Sequence, residues 1–375
     1  MTRTMNADIV IIGTGGVGSA AAMQLAKRGV KVVGIDRFPG GHDRGSSHGH
    51  TRIIRLAYFE HPDYVPLLRR AYDLWADLEL AQNEKLFHQV GLLEVGLPNG
   101  PTIQGVLASA REHQLAVEAM SAAECRRRFP GFHVPDEFAT IFESKAGYLL
   151  VERCVLAHLE QARRHGAEFI VGESVRRWSA SPGEVVVETD RSTIQAGRLI
   201  LAAGAWAGPL LGRPLEVRRK HIHWHPTTLP TLNADQGCPT FYFETGAGDF
   251  YGFPNIDGVG VKVGEHSGGA VVADPLRDDR SPEIEDQKRI ARFLTTYMPA
   301  VAQPARAHAV CYYTMSPDQH FLVDLHPDHP NVAFAAGLSG HGFKFTSVLG
   351  EILADLAMHG STTLPIGFLS PRRFG

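Results

Sequence analysis

Residues 8–36 leave this chain few ways to fold. Residues 9–12, Ile-Val-Ile-Ile, form a short β-branched run bounded by glycine, which suits a strand buried on both faces of a parallel sheet. Gly13, Gly15 and Gly18 follow as G-x-G-x-x-G at the entry to an alanine-rich segment, Gly29 ends that segment, and residues 30–35 form a second apolar run closed by Asp36. In a unit of strand, turn, helix and strand the three glycines have different tasks. The first permits the tight turn, the second lets a pyrophosphate reach the backbone, and the third lets helix and strand pack closely. Phosphates then sit on the free N–H groups and positive dipole end of the helix, and an acid about 20 residues on accepts the ribose hydroxyls. This order of elements predicts a dinucleotide site. The bland alternative is a glycine-rich turn in an ordinary α/β protein.

The chain has 375 residues, more than the about 250–300 at which a single core stops growing, so two domains are expected. Its net charge of −3, with both signs interspersed, offers no basic stripe for nucleic acid. Cys125, Cys154, Cys238 and Cys311 lie far apart and form no C-x-x-C. That spacing argues against a zinc site or a disulfide scaffold and for a reducing, cytoplasmic setting. The N-terminal apolar run is the glycine-broken nucleotide strand rather than the core of a signal peptide. Residues 199–211 are cut by Gly204, Gly208 and Pro209 and fall short of the ~18 residues a membrane span needs. No metal, nucleic-acid or membrane partner is expected.

Residues 37–55 are too polar for a core and too long for a plain connector, so a ligand-facing loop is expected there. Residues 64–80 carry apolar side chains at helical spacing, and residues 87–97 read as a strand opening a second region. Helical patterns follow at 107–113, 122–128 and 152–166, and strand patterns at 168–171, 184–188 and 193–195. Residues 198–206 form an apolar run ending in Ala-Ala-Gly-Ala-Trp, where small residues would let the backbone approach a cofactor; a buried strand ending in a turn is the alternative. Residues 216–304 alternate strand patterns (217–224, 241–243, 250–253, 259–263) with one helix (282–297), divided by prolines. The pattern at 321–324, 332–336 and 345–359 returns to α/β type. A chain that begins and ends in nucleotide-fold pattern implies a discontinuous cofactor domain with a mainly antiparallel substrate domain inserted.

Several blocks are more specific than the glycine fingerprint: Gly45-Ser-Ser-His48, Thr51-Arg-Ile-Ile-Arg55, Tyr251-Gly-Phe-Pro254, Val261-Lys-Val-Gly264 with His266, Ala309-Val-Cys311, Asp318-Gln-His-Phe-Leu-Val-Asp324 and Gly340-His-Gly-Phe-Lys-Phe345. With them the chain resembles, over nearly its whole length, the monomeric sarcosine oxidases and N-methyltryptophan oxidases, covalent-flavin amine oxidases of the D-amino-acid-oxidase superfamily. The resemblance implies an α/β (α+β) fold with a Rossmann-like, glutathione-reductase-like FAD domain at residues 1–85, 140–215 and 305–375. A substrate domain is implied at 86–139 and 216–304. FAD is the implied dinucleotide, bound by Gly13, Gly15, Gly18, Asp36, Arg37, Ser46, Thr51, Gly340, Gly342 and Lys344. The implied substrate is a secondary amine carrying a carboxylate, with molecular oxygen as acceptor and a monomer as the working unit.

Residue by residue, Cys311 matches the cysteine that tethers the flavin through a thioether, a reaction that needs a thiolate. Arg52 and Lys344 match residues that hold the substrate carboxylate, a bidentate fork and a point charge that would orient the reacting carbon. Lys262 matches the lysine of oxygen activation, where a cation stabilises developing superoxide charge. His48, Tyr251, His266 and Tyr313 match further active-site positions. The bland readings are a buried inert thiol, a surface ion pair, an outward-facing lysine and satisfied core residues. The chain departs from the family pattern at Ser47, His50 and Leu56, and residues 218–225 are unusually basic and aromatic; these changes bear on the substrate side chain. The expected reaction is oxidation of an N-methyl amino acid to formaldehyde, a primary amino acid and hydrogen peroxide. Oxidation of a cyclic imino acid is one alternative, and a flavin-bearing assembly protein without turnover is another.

Overall fold

The computed structural model describes residues 3–302 and 304–374. Two eight-stranded sheets and one small three-stranded sheet carry the chain. In the first sheet, strand Arg3–Ile12 lies between Ser192–Leu201 and Val32–Asp36, parallel to both. Glu168–Val171 extends the sheet beyond Val32–Asp36 and His329–Ala336 beyond Ser192–Leu201, again in parallel. Because its two faces are covered, residues 9–12 are buried without alternation, as a central parallel strand requires. Helices Gly16–Lys27, Val151–Arg164 and Thr346–His359 pack together on one face. Small residues set how closely they meet: a Cβ at Gly350 would lie 2.5 Å from that of Ala20.

The second sheet runs in the order Ala307–Met315, Glu216–His225, Val261–Glu265, Gly248–Phe253, Thr240–Thr245, Leu92–Gly96, Ala139–Glu143, Glu118–Met120. Every pairing is antiparallel except that of Thr240–Thr245 with Leu92–Gly96. Helix Ile284–Tyr297 covers one face, setting Ile290, Phe293 and Leu294 against Phe241, Phe243 and Phe250. The small sheet joins Thr51–Ile54 and Phe87–His88 to Gly147–Leu150.

Some expectations from sequence need adjustment. The polar segment 37–55 ends in a real strand, Thr51–Ile54, whose hydrogen bonds come from the distant Gly147–Leu150. The strand expected over 87–97 is two strands, because Gly91 turns the chain with φ +80°. The segments 193–195 and 198–206 form one continuous strand, Ser192–Leu201, that stops before the small residues. Strand Ala307–Met315 falls within the range expected for the cofactor unit, yet it pairs with Glu216–His225 in the second sheet. Both of its faces are packed: Val310 and Tyr312 against Ala205 and Val217, Cys311 and Tyr313 against Ile222 and Trp224. It therefore sits at the seam of the two sheets. Among the described residues, no helix is long and apolar enough to cross a membrane, and no group of His, Cys, Asp or Glu is arranged to hold a metal ion.

Candidate active site

A single cavity runs from the carboxyl ends of the central parallel strands to the inner face of the second sheet. Its first end is built by backbone. Gly13 adopts φ +89°, and a Cβ there would strike the carbonyl of Ala202 at 2.4 Å. A Cβ at Gly18 would lie 1.8 Å from the Gly13 oxygen, so only glycine lets helix and turn close. Nothing lies within 4 Å of a Cβ built on Gly15, which lines the cavity at the start of the helix. Asp36 accepts the Thr14 N–H at 2.7 Å and the Phe38 N–H at 3.0 Å, which fixes its carboxylate at the cavity wall.

Several polar atoms along this wall lack partners: Arg37 Nη1, Trp206 Nε1, Thr314 Oγ1 and Thr346 Oγ1. A buried polar group left unpaired costs about 1–3 kcal/mol, so four along one cavity call for a long polar ligand. Glycine turn, acid, orphaned donors and an extended cleft together fit FAD. Arg37 is held by donating from Nε to Ser174 at 2.8 Å, and Ser46 donates to the Tyr312 carbonyl at 2.5 Å, binding the polar loop to the seam strand. Gly340 and Gly342 also line the cavity. Gly340 has φ +83°, and a Cβ there would enter the Tyr313 ring at 2.3 Å.

The other end is built by side chains from separate segments. Lys344 follows Gly342 in the turn Phe343–Phe345, is buried, and donates to the His341 carbonyl at 2.9 Å. Burial pulls its pKa down to about 7, with Arg55 adding to the fall. Tyr251 and Tyr313 face the same space; burial raises the Tyr251 hydroxyl to about 12 and carries that of Tyr313 well above its usual value. His266 Nδ1 lies 3.2 Å from the Tyr313 hydroxyl, and burial together with Lys220 pushes its pKa down to about 3, so its ring is neutral. Arg52 lines the cavity and donates to the carbonyls of Thr51 and Ser46, each at 2.8 Å.

Four expected residues, Lys262, Thr51, His48 and Cys311, stand behind the wall rather than in it. Lys262 is 2 % exposed and donates to Gly49 O at 2.7 Å, Thr51 O at 2.7 Å and Thr51 Oγ1 at 3.0 Å. Desolvation carries its pKa well below the usual lysine value, with Arg52 next in effect. Thr51 is thus engaged by a lysine. His48 is buried with Nε2 unpartnered, and burial with Arg52 drives its pKa to about 3. Cys311 is buried opposite Lys220 in the strand register, while its neighbours Tyr312, Tyr313 and Thr314 line the cavity.

The structure also brings in residues that sequence reading left without a role. Arg55 lines the cavity near Lys344, donating to Glu94 at 2.6 Å and Glu60 at 2.5 Å, with its guanidinium 3.9 Å from the Phe59 ring centre. Glu60, Tyr242 and His341 share the lining. Arg55 stood in view in the motif at 51–55. It follows directly after strand Thr51–Ile54, so alternation along the strand does not set its direction, and both it and Arg52 reach the cavity.

Residues 8–356 match the family described as FAD dependent oxidoreductase (DAO). The chain is 38% identical over 374 residues to a monomeric sarcosine oxidase from Bacillus sp. (strain B-0618), covering 98% of this chain and 96% of that one. It is 35% identical over 375 residues to an N-methyl-L-tryptophan oxidase from Yersinia pestis (strain Pestoides F), covering 99% and 100%. Among solved structures, the open form of NikD, described as an unusual amino acid oxidase essential for nikkomycin biosynthesis, superposes with TM-score 0.86 at 26% identity over 98% of both chains. An L-proline dehydrogenase from P. horikoshii shares the fold, with TM-score 0.84 at 23% identity over 99% of this chain and 98% of that one. A glycine-built dinucleotide cleft, unpartnered polar atoms along its wall and a family match spanning nearly the whole chain lead to one conclusion: this protein is a member of the FAD dependent oxidoreductase family.

Proposed function

We propose that the chain is an FAD-dependent oxidase of N-methyl amino acids, converting R–NH–CH3, O2 and H2O to R–NH2, formaldehyde and H2O2. The observation that carries this reading is the gathering of two buried cations, Lys344 and Arg55, with Tyr251, Tyr313 and His266 at the closed end of a cavity that fits FAD. When bound, FAD supplies the two-electron oxidation of the C–N bond and passes the electrons to oxygen.

The chain's own residues bind and orient. Lys344 contributes a point charge and Arg52 a planar fork to the substrate carboxylate, which would orient the N-methyl carbon toward the bound FAD; Arg55, whose two Nη atoms already donate to Glu94 and Glu60, braces the wall beside them. Arg52, tied to two backbone carbonyls, holds positive charge along the same wall. The neutral His266 and the un-ionised Tyr251 and Tyr313 surround the amine without adding charge, so the amine can react in its neutral form. Lys262 places a cation beside Thr51 and Arg52, where it would stabilise charge developing on oxygen. Gly13, Gly15, Asp36, Arg37, Ser46, Gly340 and Gly342 are assigned to FAD, with the first sheet serving the cofactor and the second sheet the substrate.

The proposal includes a thioether from Cys311 to the flavin, supported by the position of this thiol in the seam strand beside the cavity-lining Tyr312 and Tyr313. Replacing Cys311 with serine should release all flavin on acid denaturation, whereas the parent chain keeps it in the polypeptide mass; retained flavin in the serine variant would remove this assignment. It also includes a monomer as the working unit, and a reducing compartment, the latter supported by four cysteines that are all buried and unpaired.

The reaction is tested with a panel of sarcosine, N-methyltryptophan and proline. N-demethylation releases formaldehyde and peroxide in equal amounts. Peroxide without formaldehyde, from proline alone, would move the activity to cyclic imino acids.

A further inference from the structure

Lys344 does not stand alone at the cavity end. Its ammonium donates to the His341 carbonyl at 2.9 Å and to the Tyr58 hydroxyl at 3.5 Å. Tyr58 in turn lies 2.5 Å from His341 Nδ1, and His341 Nε2 lies 2.9 Å from the carbonyl oxygen of Gln319. The protons in this row can be placed from donor chemistry. A carbonyl only accepts, so Nε2 carries the hydrogen. Burial holds the pKa of His341 well below 6.5, with Lys344 next in effect, so the ring is neutral and Nδ1 is a bare acceptor. The Tyr58 proton must then point at Nδ1, which turns the hydroxyl lone pairs toward Lys344. With two of its three N–H groups taken, the ammonium keeps one donor for a ligand in the cavity it lines.

The far end of the row is also held. Gln319 adopts φ +64°, a left-handed conformation that costs a residue with a side chain about 1 kcal/mol. Its neighbour Asp318 takes the fork of Arg373, Nε at 2.7 Å and Nη2 at 2.9 Å. The backbone of Lys344 is fixed by the Trp75 indole, which donates to its carbonyl at 3.0 Å. Arg55 and Glu60 face Lys344 from the 55–60 segment, Glu94 from the second sheet, and Arg52 from strand Thr51–Ile54.

We propose that His341 is a positioning residue for the substrate carboxylate: held by Gln319 as the Nε2–H tautomer, it makes Tyr58 an acceptor that orients the Lys344 ammonium into the cavity. This rests on the role given to Lys344 above. A residue that merely fills space would be replaced by anything of its size, whereas a tautomer-directed acceptor has a chemical signature.

The test uses the holoprotein and acetate, a carboxylate with no C–N bond to oxidise, titrated by the visible absorbance of the bound flavin, alongside KM and kcat with sarcosine. His341→Gln keeps a donor for Gln319 but loses the acceptor at Nδ1, and Tyr58→Phe loses the hydroxyl; each should raise the acetate Kd and the KM about tenfold, with kcat changed far less. His341→Asn keeps an acceptor near Nδ1 and should stay within about threefold of the parent. The double variant Tyr58→Phe with His341→Gln should be no worse than either alone, since both break one row. Equal losses in His341→Asn and His341→Gln, additive losses in the double variant, or unchanged acetate binding in both His341→Gln and Tyr58→Phe would overturn the proposal. Lys344→Met separates the layers. If it leaves acetate binding intact, the role of Lys344 fails; if it weakens binding while His341→Gln does not, only the positioning role fails.

Discussion

The two ends of the cavity are made in different ways. At the Asp36 end, backbone does the recognition: a glycine at φ +89°, a glycine facing open space and a helix N-terminus that opens on the cavity. The parts lie within residues 13–36, so one stretch of chain carries the whole device. At the Lys344 end, side chains do the work, and they arrive from residues 52–60, 242–266, 313 and 341–344. The turn at the first end tolerates no added atoms at Gly13 and Gly18, while the second is set by protonation and hydrogen bonding. The contrast predicts different failures: loss of the cofactor at one end, loss of affinity or selectivity at the other.

The largest effect is expected at the glycine turn. Gly18→Ala would place a methyl 1.8 Å from the Gly13 oxygen, and that oxygen belongs to rigid backbone. The turn must open, and FAD binding should fall by at least about 100-fold, read as the FAD content of the purified chain. Normal FAD content would mean that the turn is softer than the comparison requires.

Lys344→Met probes the other end. It should leave FAD content near that of the parent but raise the KM for sarcosine by about 100-fold, since truncating one partner of a buried charged pair costs about 2–5 kcal/mol. The same lysine gives a pH signature. Its pKa is lowered to about 7, so the ammonium is present below that value and lost above it. Carboxylate affinity should therefore weaken as pH rises through about 7. In the methionine variant the slope should vanish; a slope unchanged by the substitution would place the titrating group elsewhere.

The smallest effect lies outside both ends. His158, in helix Val151–Arg164, is buried with neither ring nitrogen partnered, and its ring lies 5.2 Å from that of Trp75. Desolvation drives its pKa to about 3. His158→Leu should raise thermal stability by about 1–2 kcal/mol without touching FAD content or KM, because it removes two unpaired polar atoms at similar volume. A loss of stability would show that the imidazole has a partner the structure leaves out.

The same division explains what could be read in the sequence. The nucleotide end was legible because its physics is local: spacing of glycines, β-branched runs and one acid within 30 residues specify strand, turn and helix. The antiparallel sheet was legible in outline from the strand patterns at 217–224, 241–243 and 250–253, divided by prolines. Strand Ala307–Met315 was not, because both its faces are covered and no alternation betrays it. The substrate end was legible only as a set of motif residues. Whether Arg52 or Arg55 faces Lys344, whether Lys262 lines the cavity or stands behind it, and that His341 ties Tyr58 to Lys344 depend on contacts across nearly 300 positions of chain, and no local pattern encodes those.

The central claim is that FAD occupies the glycine-built cleft and accepts electrons from an N-methyl amino acid gripped at the Lys344 end. Its most direct measurement is an anaerobic titration of the holoprotein with sarcosine and with N-methyltryptophan, followed by visible absorbance and then by admission of air. The account predicts bleaching of the flavin by at least one of the two and recovery of the colour with oxygen. Flavin that stays fully oxidised with both amines would contradict it.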